Sequence, residues 1–129
     1  MTAMAHDAQT SPEKTFFHAL REGRPIVQHC DSCSTKIFPP GVRCRHCHGA
    51  DYRWTDMNPC GQIYSYSLLP ATKERDATNV VLVDLDDGFR MMSTCVGVGP
   101  DEIHIGMRVQ AAVDNDGAAA RIIFRKVIV

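Results

Sequence analysis

The chain has 129 residues, 44% hydrophobic and 22% charged, with a formal net charge of −1. That length fits one ordinary domain or two small modules, and the balanced charge gives no general pull toward nucleic acid or an anionic membrane. No apolar run approaches the ~20 residues that span a bilayer. The opening MTAMAHDAQTSPEKTFF lacks the basic and apolar regions of a secretory signal. Six cysteines in such a chain read as reduced thiols or metal ligands rather than disulfides, which places the protein in the cytoplasm.

Residues 1–10 are small and polar and are expected to be disordered. Thr10-Ser11-Pro12-Glu13 then reads as a helix start. Ser11 or Thr10 caps, Pro12 loses no needed hydrogen bond in the first turn, and Glu13 suits the positive helix end. Phe16, Phe17 and Leu20 form a short apolar stripe before Gly23 stops the helix. So short a helix does not hold alone in water. It packs on its own domain, or Phe16, Phe17 and Leu20 dock into a partner; the residues leave both open.

Residues 24–60 form the next segment, carrying Cys30-x-x-Cys33 and Cys44-x-x-Cys47 with ten residues between the pairs. Lys36-Ile37-Phe38 suits a strand, Pro39-Pro40-Gly41 forces a turn, and Val42-Arg43 leads back. Each Cys-x-x-Cys turn puts two sulfurs on one side of a knuckle, and two knuckles complete a tetrahedral Cys₄ site. Such a site saturates zinc and leaves no position for a catalytic water, so its role is folding. Iron in the same cage, as an electron carrier, is not excluded by spacing alone. His29, His46 and His48 flank the cysteines as alternative ligands; Cys60 and Cys95 fall outside the spacing and read as turn or core residues. Tyr52 to Thr55 alternates as a further strand.

From residue 61 to 129 the pattern is all strand. Ile63 to Leu68 alternates with period two, and Asn79 to Leu85 leads through Asp86-Asp87-Gly88, a hairpin signal, into Phe89 to Val96. Met107 to Val113 turns at Asp114-Asn115-Asp116-Gly117 into Ala120 to Val129. Five strands joined mostly by tight turns fit a small closed antiparallel barrel. Charge divides with the segments. Lys36, Arg43, Arg45 and Arg53 face Asp51 alone between residues 36 and 53, whereas residues 61–129 hold seven basic and nine acidic side chains. A basic ribbon next to an acidic barrel suits either a solvated hairpin or guanidinium contacts with the phosphates of a small ligand.

In this order and spacing, the two Cys-x-x-Cys pairs, Phe38-Pro39-Pro40, Gly61-Gln62-Ile63-Tyr64-Ser65-Tyr66, Val83-Asp84-Leu85-Asp86-Asp87-Gly88 and Ile105-Gly106-Met107-Arg108-Val109 resemble the zinc-ribbon/OB-fold accessory proteins of thiolase-like enzymes. The resemblance runs from Phe16-Phe17 to Phe124-Arg125. It departs at the knuckles, where Ser34 and His48 replace a frequent glycine and Arg45 a frequent proline. It implies a mainly β protein: an N-terminal helix (within 1–23), a rubredoxin-like zinc ribbon (24–60) and a five-stranded OB-fold barrel (61–129). It also implies a noncatalytic subunit whose thiolase-like partner supplies the chemistry on acyl-CoA thioesters, in thiolase or retro-aldolase reactions such as those of steroid side-chain or aromatic-acid breakdown. Structural Zn²⁺ would sit on Cys30, Cys33, Cys44 and Cys47, and the chain would help hold coenzyme A, for which Arg43 and Arg45 are the candidate phosphate contacts.

Two other functions fit parts of the pattern. Single-stranded nucleic-acid modules use both zinc ribbons and OB barrels, but need a basic groove with stacking aromatics, and here aromatics are 7% and the barrel is net acidic. A rubredoxin-like electron carrier would need iron in the cage.

Overall fold

The computed structural model describes residues 11–127; the start expected to be disordered, residues 1–10, lies outside the described residues. Helix α1 (Pro12–Arg21) begins at Ser11, whose Oγ accepts the Lys14 N–H at 3.1 Å. Pro12, Phe16, Ala19 and Leu20 make its buried face, and Gly23 follows at φ 83°, a conformation glycine adopts without penalty. Phe17 stays 40% exposed.

A three-stranded antiparallel sheet follows, in the order β2–β1–β3: β1 (Ile26–Cys30), β2 (Lys36–Ile37) and β3 (Tyr52–Asp56). Strand β1 is not legible from alternation because it is central and four of its five residues are buried. Residues 42 and 43 lead back, as expected, but as an irregular return rather than a strand. Fully buried Gln28 explains it. Its Nε2 donates to the Gly41 carbonyl at 2.7 Å and its Oε1 accepts the Gly41 N–H at 2.9 Å. One side chain thus takes the place of a strand partner for the loop.

The second sheet has the order β6–β5–β4–β8–β9–β7, built from β4 (Cys60–Leu69), β5 (Thr78–Leu85), β6 (Arg90–Ser93), β7 (Cys95–Val96), β8 (Arg108–Asp114) and β9 (Arg121–Lys126). The single strand expected over Phe89 to Val96 is broken at Thr94. Before the break it pairs with β5, and after it runs parallel to β9 through Cys95↔Phe124 and Val96↔Arg125. The two ends of the strand order are therefore one stretch of chain, and the sheet closes as the OB-fold barrel. The parallel pair corrects the expectation of a wholly antiparallel barrel.

Asn79 fixes the break. Its side chain, 8% exposed, donates to the Cys95 carbonyl at 2.9 Å and accepts the Cys95 N–H at 2.9 Å and the Thr94 hydroxyl at 3.1 Å. The barrel interior holds Ile63, Val81, Val83, Leu85, Met91, Val109 and Phe124, all buried. At Gly61 a Cβ would stand 2.6 Å from the Asp84 carbonyl oxygen, so only glycine lets β4 approach β5 so closely.

By contact, the described chain divides into two units: residues 11–57 with 87–89 and 113–121, and residues 58–86, 90–112 and 122–127. In the first unit the rings of Phe17, Phe16, Phe38 and Phe89 form a chain with successive centroids 5.2, 5.9 and 5.2 Å apart. Among the described residues no helix is long and apolar enough to cross a membrane.

Asn79→Ala leaves the Cys95 amide and carbonyl without their buried partner and is expected to cost about 2–4 kcal/mol, read from the urea midpoint of the folded protein. A loss below about 0.5 kcal/mol would show that the side chain does not secure the break.

Candidate metal centre

The two knuckles follow one backbone scheme. In the first, Cys30 N–H donates to the Thr35 carbonyl at 2.9 Å and Ser34 N–H to the Cys30 carbonyl at 2.9 Å. In the second, Cys44 N–H donates to the Gly49 carbonyl at 2.9 Å and His48 N–H to the Cys44 carbonyl at 2.8 Å. Each loop returns through a left-handed residue, Ser34 at φ 63° and His48 at φ 65°. These are the two positions where the sequence departs from glycine. The tight turn is kept, and the cost of a side chain in that region is accepted.

Within the knuckles the four sulfurs lie within 4.8 Å of one another. Cys30 and Cys47 sulfurs are 3.5 Å apart, and those of Cys33 and Cys44 are 3.6 Å apart. A tetrahedron of zinc–sulfur bonds near 2.3 Å has edges of about 3.8 Å, so the donor set fits a four-coordinate ion. His46 N–H donates to the Cys44 sulfur at 3.3 Å and Gly49 N–H to the Cys47 sulfur at 3.4 Å, which disperses thiolate charge. Gly49 is tight: a Cβ there would stand 3.2 Å from both the Cys47 sulfur and the Ser32 hydroxyl, so one of them would have to shift.

The thiols differ. Hydrogen bonding to the Thr35 side chain, helped by the Thr35 amide and the neighbouring thiols, holds Cys33 down to about 6 against the opposing effect of desolvation. At Cys47 the Gly49 amide works to lower the value, but sharing of protons with Cys30 and Cys33 and desolvation push it up to about 12. Binding of a dication by the four sulfurs would displace their protons.

The cluster of metal-ligating groups contains Cys30, Cys33, Cys44 and Cys47 and no histidine. His46 and His48 are exposed. His29 stands in a row between Lys36 and Arg53. Burial and those two cations lower its pKa, and its Nδ1 has no hydrogen-bond partner among the described residues. Ile37 and half-buried Tyr52 pack on the Cys30 and Cys44 side of the cage. Cys95 is buried, its thiol pushed up by burial, and Cys60 sits half-buried at the start of β4.

Of the other sequence candidates, Arg43 and Arg45 are exposed, and each spends one donor on the ribbon itself: Arg43 Nη1 on the His48 carbonyl and Arg45 Nη1 on the Pro39 carbonyl, both at 3.1 Å. Neither pairs with a carboxylate among the described residues, whereas Arg24, Arg53, Arg90, Arg108 and Arg121 do. Phe16 and Leu20 are buried in the chain's own core, at 5% and 1% exposure, so of the three helix residues only Phe17 faces outward. Gln28, which shapes the ribbon by holding Gly41, belongs to no motif. A polar residue inside the apolar run Ile26-Val27-Gln28 was the available signal for it.

A metal ribbon continuous with an OB-fold barrel defines the class. Two family models match: the ChsH2 rubredoxin-like zinc ribbon domain over residues 17–53 and the ChsH2 C-terminal OB-fold domain over residues 54–114. A chain of the Ltp2-ChsH2(DUF35) aldolase superposes with a TM-score of 0.79 at 31% identity, covering 95% of this chain and 100% of that one. This chain belongs to the DUF35 family of ChsH2-type zinc-ribbon/OB-fold proteins. A DUF35 protein of Sulfolobus solfataricus shares the fold, with a TM-score of 0.66 at 15% identity over 93% of this chain and 89% of that one. In sequence, a DUF35 domain-containing scaffold protein of Methanocaldococcus jannaschii is 29% identical over 100 residues, 71% of each chain. A probable enoyl-CoA hydratase alpha subunit of Thermomonospora curvata is 36% identical over 97 residues, 73% of this chain; the match spans 30% of that relative's length.

Ser34→Gly and His48→Gly remove side chains from left-handed positions and are each expected to stabilise the metal-loaded protein by about 0.5–1 kcal/mol, measured by thermal unfolding with zinc in excess. A loss of stability in both variants would contradict this reading of the knuckles.

Proposed function

We propose that the chain is a noncatalytic accessory subunit of a thiolase-fold enzyme acting on acyl-CoA thioesters, with zinc as a structural ion in the tetrathiolate cage. The observation that carries the reading is the match along the whole length of a chain from the Ltp2-ChsH2(DUF35) aldolase. The scaffold name of the archaeal relative supports an assembly role, and the enoyl-CoA hydratase name supports an acyl-CoA setting.

The chemistry of the cage points the same way. Zinc on four thiolates is coordinatively saturated, so it supplies folding energy rather than an activated water. Catalytic groups then belong to the partner, which provides the nucleophile and the acid–base residues for carbon–carbon bond cleavage or formation. Arg43 and Arg45 give this chain a part in substrate binding. Each is tethered to a ribbon carbonyl, which leaves guanidinium donors free and pre-oriented for the phosphates of coenzyme A. Phe17, the outward ring of α1, is the apolar contact offered to the partner.

Co-expression with a thiolase-like partner is expected to yield a complex that survives size exclusion and is more active than the partner alone; a partner equally active without this chain would reject the accessory role. In the assembled complex, Arg43→Glu with Arg45→Glu is expected to raise the KM for acyl-CoA about tenfold or more, the loss of charge-assisted phosphate contacts. Unchanged KM and kcat would remove the two arginines from the coenzyme A site.

A further inference from the structure

The four cage cysteines are unequally exposed. Cys30 and Cys44 are buried, at 0% and 1% exposure, Cys33 is half-buried, and Cys47 is exposed. The Cys47 sulfur accepts the Gly49 N–H at 3.4 Å. A metal-bound sulfur is held as thiolate, the form that attacks electrophiles, and access then decides which one reacts. The thiol standing 3.5 Å from Cys47 is Cys30, at the base of the cage.

We propose that Cys47 is an oxidant-sensing modification site: a peroxide oxidises it first, Cys30 resolves the product as a disulfide, and the metal leaves. In the first step the Cys47 thiolate attacks one peroxide oxygen, the O–O bond breaks, and hydroxide departs, leaving Cys47 as a sulfenic acid. In the second the Cys30 thiolate attacks the Cys47 sulfur and expels a second hydroxide. Two sulfurs lose one electron each, and the peroxide takes up both. With half its ligands joined to each other, the cage no longer holds a dication.

The test uses the full zinc-loaded chain and one equivalent of hydrogen peroxide. Zinc release is followed with a chromogenic chelator, and the remaining thiols are blocked and mapped by mass spectrometry. The expected product is a Cys30–Cys47 disulfide that appears at the rate of zinc release, with dimedone trapping the sulfenic acid at Cys47. A Cys33–Cys44 disulfide forming first, or zinc leaving while Cys30 and Cys47 both remain alkylatable, overturns the proposal. Cys47→His keeps a zinc ligand that peroxide does not oxidise in this way, and in its zinc-loaded form should release metal about tenfold more slowly; release at the wild-type rate also overturns it. Where that variant takes up no zinc, the wild-type map alone decides.

Discussion

The ribbon depends on the convergence of four sulfurs. Between Cys30 and Cys47 the chain buries only Cys30, Ile37 and Cys44, too little to offset the entropy of ordering some twenty residues at about 1–2 kcal/mol each. Structural zinc contributes roughly 10–16 kcal/mol in small fingers, and the sulfur tetrahedron has the dimensions to receive it. Everything that shapes the knuckles serves that convergence: the matched backbone bonds, the left-handed Ser34 and His48, the cramped Gly49, and Gln28 holding the loop at Gly41.

The barrel unit is organised by a different constraint. A closed sheet leaves no exposed edge for unwanted pairing, but closing five strands requires one of them to change neighbours. Here the change falls at Thr94, and the buried Asn79 amide satisfies the backbone groups that would otherwise be stranded there. Gly61 serves the same end by letting two strands come closer than any side chain permits. Each unit thus spends one buried amide side chain, Gln28 or Asn79, on a place where regular pairing fails.

Much of this was legible in the sequence because it rests on local chemistry. The Ser11 cap, the two Cys-x-x-Cys knuckles and the Asp86-Asp87-Gly88 hairpin with Gly88 at φ 101° each follow from a few adjacent residues. What the sequence hid depends on distant partners. Strand β1 lacks alternation because both its faces are covered. The break at Thr94 and the parallel β7–β9 pair arise from where β9 returns, which no window of residues around Thr94 records. The burial of Phe16 and Leu20, which leaves Phe17 alone on the surface, likewise depends on what the helix meets. Ser34 and His48 stood out in the sequence only as missing glycines; their positive φ values give that absence its physical meaning.

Metal-dependent protection of the ribbon tests the account most directly. Amide hydrogen exchange on the zinc-loaded protein and after chelation compares Ile26–Cys30 and Tyr52–Asp56 with Cys60–Leu69 and Thr78–Leu85. Loss of protection in the first pair of strands with retention in the second is the predicted result. Ribbon strands that stay protected in fully metal-free protein would contradict the claim that the tetrathiolate cage holds this fold together.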